Sequence, residues 1–214
     1  MRYGRNPDSV RLVAVSKAQP AAAIRIAAEC GQRDFGENYV QEAGPKLAAL
    51  ADFDLIWHFI GQLQANKTRA VAEQFQWAHT LDRERIAIRL NEQRPAHAPP
   101  LNVCIQVSLG AEAGKGGVDR DELLPLATRI AELPRLRLRG LMCIPPPRES
   151  FDEQRALFAI LASCQRELIE RGFAVDTLSM GMSADLESAI AEGATCVRVG
   201  TAIFGQRPAR GSKA

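Results

Sequence analysis

Residues 10–31 read VRLVAVSKAQPAAAIRIAAECG, and this stretch parses as a strand, a turn and a helix. Alternation through VRLVAVSK sets Val13, Val15 and Lys17 on one face. Pro20 fits the opening of a helix, where its missing N–H costs nothing, and Gly31 fits the stop. The same order of apolar run, turn and amphipathic stretch repeats to the end of the chain. Strands are predicted at 34–38, 55–61, 76–82, 101–109, 136–144, 175–181 and 195–200, with helices between them. Helices are expected to about Leu50, over 64–75, 81–94, 119–133 and 151–171, and over ADLESAIAEG at 184–193.

Eight strands separated by helices in 214 residues predict a single-domain (β/α)8 barrel of the TIM type over 1–214. An open doubly wound sheet is the alternative, because a sequence does not display closure. No internal repeat points to a solenoid, and the Pro-rich RPAHAPP at 94–100 suits a turn of the barrel.

Composition narrows the function classes. A hydrophobic fraction of 46% with 24% charged residues is that of a globular domain, and a formal charge of +2 with no basic stripe argues against nucleic acid. The opening MRYGRNPDSV is too short and polar for a signal peptide, and no apolar run reaches the span of a bilayer, so a cytoplasmic protein with no membrane partner is expected. Five scattered cysteines form no Cys-x-x-Cys pair and no metal set; Cys104, Cys143 and Cys196 fall in strands and read as buried thiols.

Barrels of this kind place their chemistry at the C-terminal ends of the strands. Lys17 stands there, on the face of Val13 and Val15. Burial penalises its charge, and a neutral amine is the form that condenses with an aldehyde to a Schiff base; a solvent-facing lysine closing the strand is the alternative. SMGMSADLE at 179–187 is strand, glycine turn and helix start, a place where backbone N–H groups meet an anion. Ser183 suits either a phosphate or the N-cap of a helix beginning near Ala184. Gly200 and Thr201 follow strand eight, where phosphate sites in such barrels gather. Arg198 faces inward by alternation and suits a phosphate, a ring nitrogen kept unprotonated, or an ion pair. The loop AEAGKGG at 111–117 lacks the spacing of a nucleotide loop; Lys115 reads as a lid contact or an exposed lysine. His58 reads as a core or rim group, His79 and His97 receive no role, and Met142 reads as packing.

LVAVSK, FGENYVQE at 35–42, WHFIGQLQANK at 57–67, the AGKGG loop, LRGLMCIP at 138–145, LSMGMSADLESAI at 178–190 and VRVGTAIFG at 197–205 together resemble the pyridoxal phosphate homeostasis protein family. That family is in turn similar to the N-terminal barrel of alanine racemases. The resemblance implies pyridoxal 5′-phosphate (PLP) held by Lys17, with Ser183, Gly200 and Thr201 at the phosphate and Arg198 near the pyridine nitrogen. It also implies Asn38 and His58 at the pocket rim and Met142 beside the ring. The implied role is intracellular PLP buffering and delivery without turnover, with PLP-dependent apo-enzymes as partners.

A PLP-dependent racemase or lyase is the competing reading. Racemisation on this barrel needs a second base, a tyrosine from another domain, and the two tyrosines here, Tyr3 and Tyr39, are not placed for it. Family members begin with a further helix, so a shortened N-terminus is expected, on a monomer with an apolar groove prone to weak self-association.

Overall fold

The computed structural model describes residues 2–110 and 116–205. Lys115 and the basic tail therefore lie outside the described residues. Two short 3-10 turns, Arg2–Gly4 and Pro7–Ser9, lead into β1 (Arg11–Val15) and α1 (Ala21–Glu29). There follow β2 (Asp34–Glu37) and α2 (Val40–Ala49), β3 (Ile56–Phe59) and α3 (Thr68–Gln74), β4 (Trp77–Leu81) and α4 (Glu84–Gln93). The second half comprises β5 (Leu101–Gln106) and α5 (Arg120–Ala131), β6 (Leu136–Met142) and α6 (Phe151–Glu170), β7 (Thr177–Ser179) and α7 (Leu186–Ala191), then β8 (Cys196–Val199) and α8 (Thr201–Phe204).

The sheet is closed, which removes the open-sheet alternative. All neighbours are parallel, and β1 shuts the barrel against β8 over four Cα pairs, Arg11↔Cys196 to Ala14↔Val199. The seam between β7 and β8 is thinner, with the single pair Ser179↔Cys196.

Period-two alternation divides the strand residues into two populations. Outward-facing Ala14, Phe35, Phe59, Ala78, Val103, Leu141 and Val197 pack on the apolar stripes of the helices in one large cluster. Inside the barrel a small apolar layer, Trp77, Cys104 and Met142, is joined by polar groups: His58, His79, Ser179 and Arg198 are all buried. Helix starts have local causes. Asp119 and Glu122 form a reciprocal capping box on α5, and Ser150 accepts the Glu153 N–H on α6. The buried thiols expected at Cys104, Cys143 and Cys196 are found. An apolar surface groove between α1 and α8 is lined by Leu12, Ile26, Cys30 and Ile203, among others.

Candidate functional site

A cavity of about 280 Å3 opens at the C-terminal face of the barrel. Six of the eight residues singled out from sequence line it: Lys17, Asn38, Ser183, Arg198, Gly200 and Thr201, with Val15, Ile60, Ile144 and Met182 as apolar wall. For the other two, the placement that the resemblance implied is corrected, while the reading of His58 as a core group and of Met142 as packing is what the structure shows. Both are fully buried and neither lines this cavity. Inward positions recur every second residue, and β3 and β6 each carry one more layer than expected, so Ile60 and Ile144 occupy the rim in their place. Met142 packs with Trp77 and Cys104.

Lys17 sits just beyond β1, and its backbone is gripped from both sides. On one side the Lys46 ammonium, on α2, donates to the Ser16 carbonyl (2.9 Å) and to Glu37 Oε1 (2.7 Å), while the Ser16 hydroxyl donates to that carboxylate oxygen (2.6 Å). On the other, Glu42 accepts the N–H of Ala18 at 3.2 Å, and Ala18 adopts a left-handed φ of 61°. Burial pushes the Glu37 carboxyl above its ordinary range, against the pull of Lys46 and Ser16. This grip was not legible in the sequence, where a lysine on a helix face reads as solvated.

Arg198 is buried beneath the cavity. Its guanidinium donates to Ser179 Oγ (2.7 Å) and to the Cys143 carbonyl (2.9 Å). Among the described residues Arg198 has no ion-pair partner. The helix after β7 starts at Leu186, with Asp185 at its N-cap, so Ser183 stands outside the helix on the loop facing the cavity instead of capping it. Asp185 Oδ1 accepts the N–H of Met182 and shapes that loop. Gly181, at φ +95°, makes the turn possible, since a Cβ there would stand 2.7 Å from that of Ala189. On the facing wall, a Cβ at Gly200 would meet the Val15 carbonyl at 3.2 Å, so the end of β8 lies close against β1 where Gly200 borders the cavity.

These walls fit a planar aldehyde bearing a phosphate. Two cations, Lys17 and Arg198, border the cavity and, among the described residues, no carboxylate does. Asn38 Oδ1 is buried with no partner among the described residues, an acceptor left for a ligand donor. Lys17 would hold the aldehyde, Ser183, Gly200 and Thr201 the phosphate, and Arg198 the ring side.

The family model for the alanine racemase N-terminal domain matches residues 3–208. The chain is 57% identical over 204 residues to a pyridoxal phosphate homeostasis protein of Pseudomonas aeruginosa, covering 95% of this chain and 87% of that one. The chain belongs to the pyridoxal phosphate homeostasis protein family. Its Escherichia coli counterpart is 54% identical over 209 residues, covering 96% of this chain and 89% of the relative. Within the family, the structure of PipY from Synechococcus elongatus with PLP bound superposes at a TM-score of 0.87 and 43% identity, over 95% of this chain and 96% of that one.

Two features of the family fold here escaped the sequence reading. One is the Glu37–Lys46 grip. The other is a hydrogen-bonded core below Arg198, in which His79 and Ser179 take part; their inward alternation with Trp77 and Thr177 was the available signal. A second, larger cavity of about 560 Å3 opens at the N-terminal face, and His58 borders that one.

Proposed function

We propose that this chain binds PLP at the C-terminal face of the barrel and serves as a buffer that holds and delivers the cofactor, without turnover. The observation that carries the reading is the small cavity bordered by Lys17 and Arg198 and free of carboxylates among the described residues. When bound, PLP supplies an aldehyde that condenses with primary amines. The protein's part is to present Lys17 at a fixed place, to accept the phosphate on Ser183, Thr201 and the backbone of Gly200, and to face the ring nitrogen with Arg198. An arginine is an obligate donor and leaves that nitrogen unprotonated, which weakens the ring as an electron sink and suits storage.

The side chains around the cavity support the absence of turnover. Tyr39 is half exposed and borders a neighbouring surface cavity, and Tyr3 stacks on Phe151 away from the site. No acid–base partner across from Lys17 is found among the described residues lining the cavity. Among the described residues no helix is long and apolar enough to cross a membrane. A cytoplasmic role, with PLP-dependent apo-enzymes as recipients, follows from this reading.

The test is borohydride reduction of the protein loaded with PLP, followed by peptide mapping. One stoichiometric phosphopyridoxyl mark on Lys17 is expected; marks scattered over surface lysines with Lys17 unmodified would overturn the assignment. Exchange of the α-proton of alanine or serine in deuterated water is expected at background, and exchange at an enzymatic rate would replace the buffer by a racemase or lyase.

A further inference from the structure

A continuous line of hydrogen bonds runs through the barrel interior from one face to the other. Asp34 Oδ1 lies 2.8 Å from His58 Nε2, His58 Nδ1 lies 2.9 Å from His79 Nε2, His79 Nδ1 lies 2.7 Å from Ser179 Oγ, and that oxygen accepts from Arg198 Nη1 at 2.7 Å. The Asp34 end opens into the larger cavity of the N-terminal face, and the Arg198 end borders the smaller one.

We infer that Asp34, His58, His79 and Ser179 form a proton-ordered chain that positions Arg198 and sets the dipole beside it on the ring side of the cofactor cavity. The inference rests on the placement of Arg198 proposed above. Its order follows from the two ends. An ionised carboxylate only accepts, so His58 Nε2 carries the proton that it shares with Asp34. A neutral His58 then has a bare Nδ1 and accepts from His79 Nε2–H; a neutral His79 has a bare Nδ1 and accepts the Ser179 hydroxyl proton. The serine oxygen is left to accept from Arg198. Every donor therefore points from Arg198 toward Asp34, and both histidines are Nε2–H tautomers. Burial disfavours the charged form of both, most strongly for His79, which also feels His58 and Arg198.

The opposite order needs one more proton. A doubly protonated His58 would donate to His79, His79 would donate to Ser179, and the serine hydroxyl would have to turn away from the histidine. One proton taken up from the N-terminal face thus reverses the dipole beside Arg198. Other groups around the interior bear on this balance. Arg11 on β1 lies 3.6 Å from Asp34; Arg139 on β6 pairs with Asp176; Arg11 and Arg139 both lie over the Trp77 ring; Asp8 borders the same cavity. Cys104 and Cys196 are held protonated by burial, and Cys196 shares a hydrogen bond with Ser179.

Nitrogen-15 NMR of the histidine rings in the full chain, without PLP, reads the order directly. At pH 7.5 both buried rings are expected as neutral Nε2–H tautomers; an Nδ1–H tautomer or an imidazolium at either ring would overturn the inference. Asp34→Asn keeps an acceptor but removes the charge. In that variant, loaded with PLP, the pH midpoint of the cofactor's absorbance change is expected to fall by about half a unit, with Asp34→Glu returning it toward the parent value. An unmoved midpoint in a variant that still takes up PLP would overturn the electrostatic role of the chain. If Asp34→Asn does not fold, the NMR result on the parent decides. Failure of Lys17 labelling would instead sink the cofactor assignment while leaving the ring tautomers as they are, so the two readings fail separately.

Discussion

Lys46 shows how a residue that does not line the cavity holds one that does. Its ammonium is nearly buried, with 10% of its side chain exposed against 0% for Glu37, and it holds both that carboxylate and the carbonyl preceding Lys17. Lys46→Met removes the partner and leaves a buried carboxylate uncompensated, a loss expected to cost about 3 kcal/mol in urea unfolding. Adding Glu37→Gln to that variant is expected to restore most of the stability, because no charge is then stranded. Both variants should label more slowly at Lys17 in the reduction assay, since the backbone beside it is no longer held. At this scale the sequence displayed the residues that end strands. Lys17, Asn38, Ser183, Arg198, Gly200 and Thr201 were legible because alternation and glycine turns are written in neighbouring letters. Lys46 and Asp34 were not, because their partners lie on other elements.

Between elements, the depth of each strand in the barrel decides which of its inward residues reaches the ligand. His58 and Met142 show the limit: alternation names the inward face correctly but not the layer, which depends on how far each strand is pushed along the axis by its neighbours. Boundaries slipped for the same kind of reason. The helix after β3 begins at Thr68 and not at Gln64, and α7 begins at Leu186, where Asp185 instead of Ser183 takes the N-cap position. Gly61 is the clearest contact between elements near the site. A Cβ there would stand 2.0 Å from the Asn38 carbonyl oxygen, so β3 and the start of α2 meet backbone to backbone. Gly61→Ala is expected to displace Asn38, to destabilise the fold by about 1 to 3 kcal/mol and to weaken PLP uptake, as read by thermal unfolding and by titration.

For the molecule as a whole, the eightfold order of strands and helices was legible and closure was not, since closure is a contact between the first and last strands, Arg11–Val15 and Cys196–Val199. The polar interior was likewise hidden, because His58 and His79 look alike in sequence whether they face a helix or each other. That interior gives the fold a pH dependence of definite sign. Burial lowers the proton affinity of both histidines below the ordinary value of 6.5. The unfolded chain binds those protons as pH falls through 6.5 while the folded chain resists them, so their contribution is complete above that pH and is lost below it. Urea unfolding at pH 5.5 is expected to show about 2 kcal/mol less stability than at pH 7.5 from this source, and His79→Gln should reduce the difference to the part that His58 contributes.

The seam between β7 and β8 is short, one registered Cα pair flanked by backbone bonds from Thr195 N–H to Leu178, Met180 N–H to Cys196 and Arg198 N–H to Gly181, and the loops leaving those two strands supply Ser183 on one side and Gly200 with Thr201 on the other. An anion gripped from both sides would add one more tie to that short ladder. Loading would then be felt as tightening: amide exchange along Thr177–Ser179 and Cys196–Val199 should slow when PLP binds, and inorganic phosphate alone should reproduce part of the effect. Empty and loaded protein would then differ in the stiffness of this edge as well as at the ring.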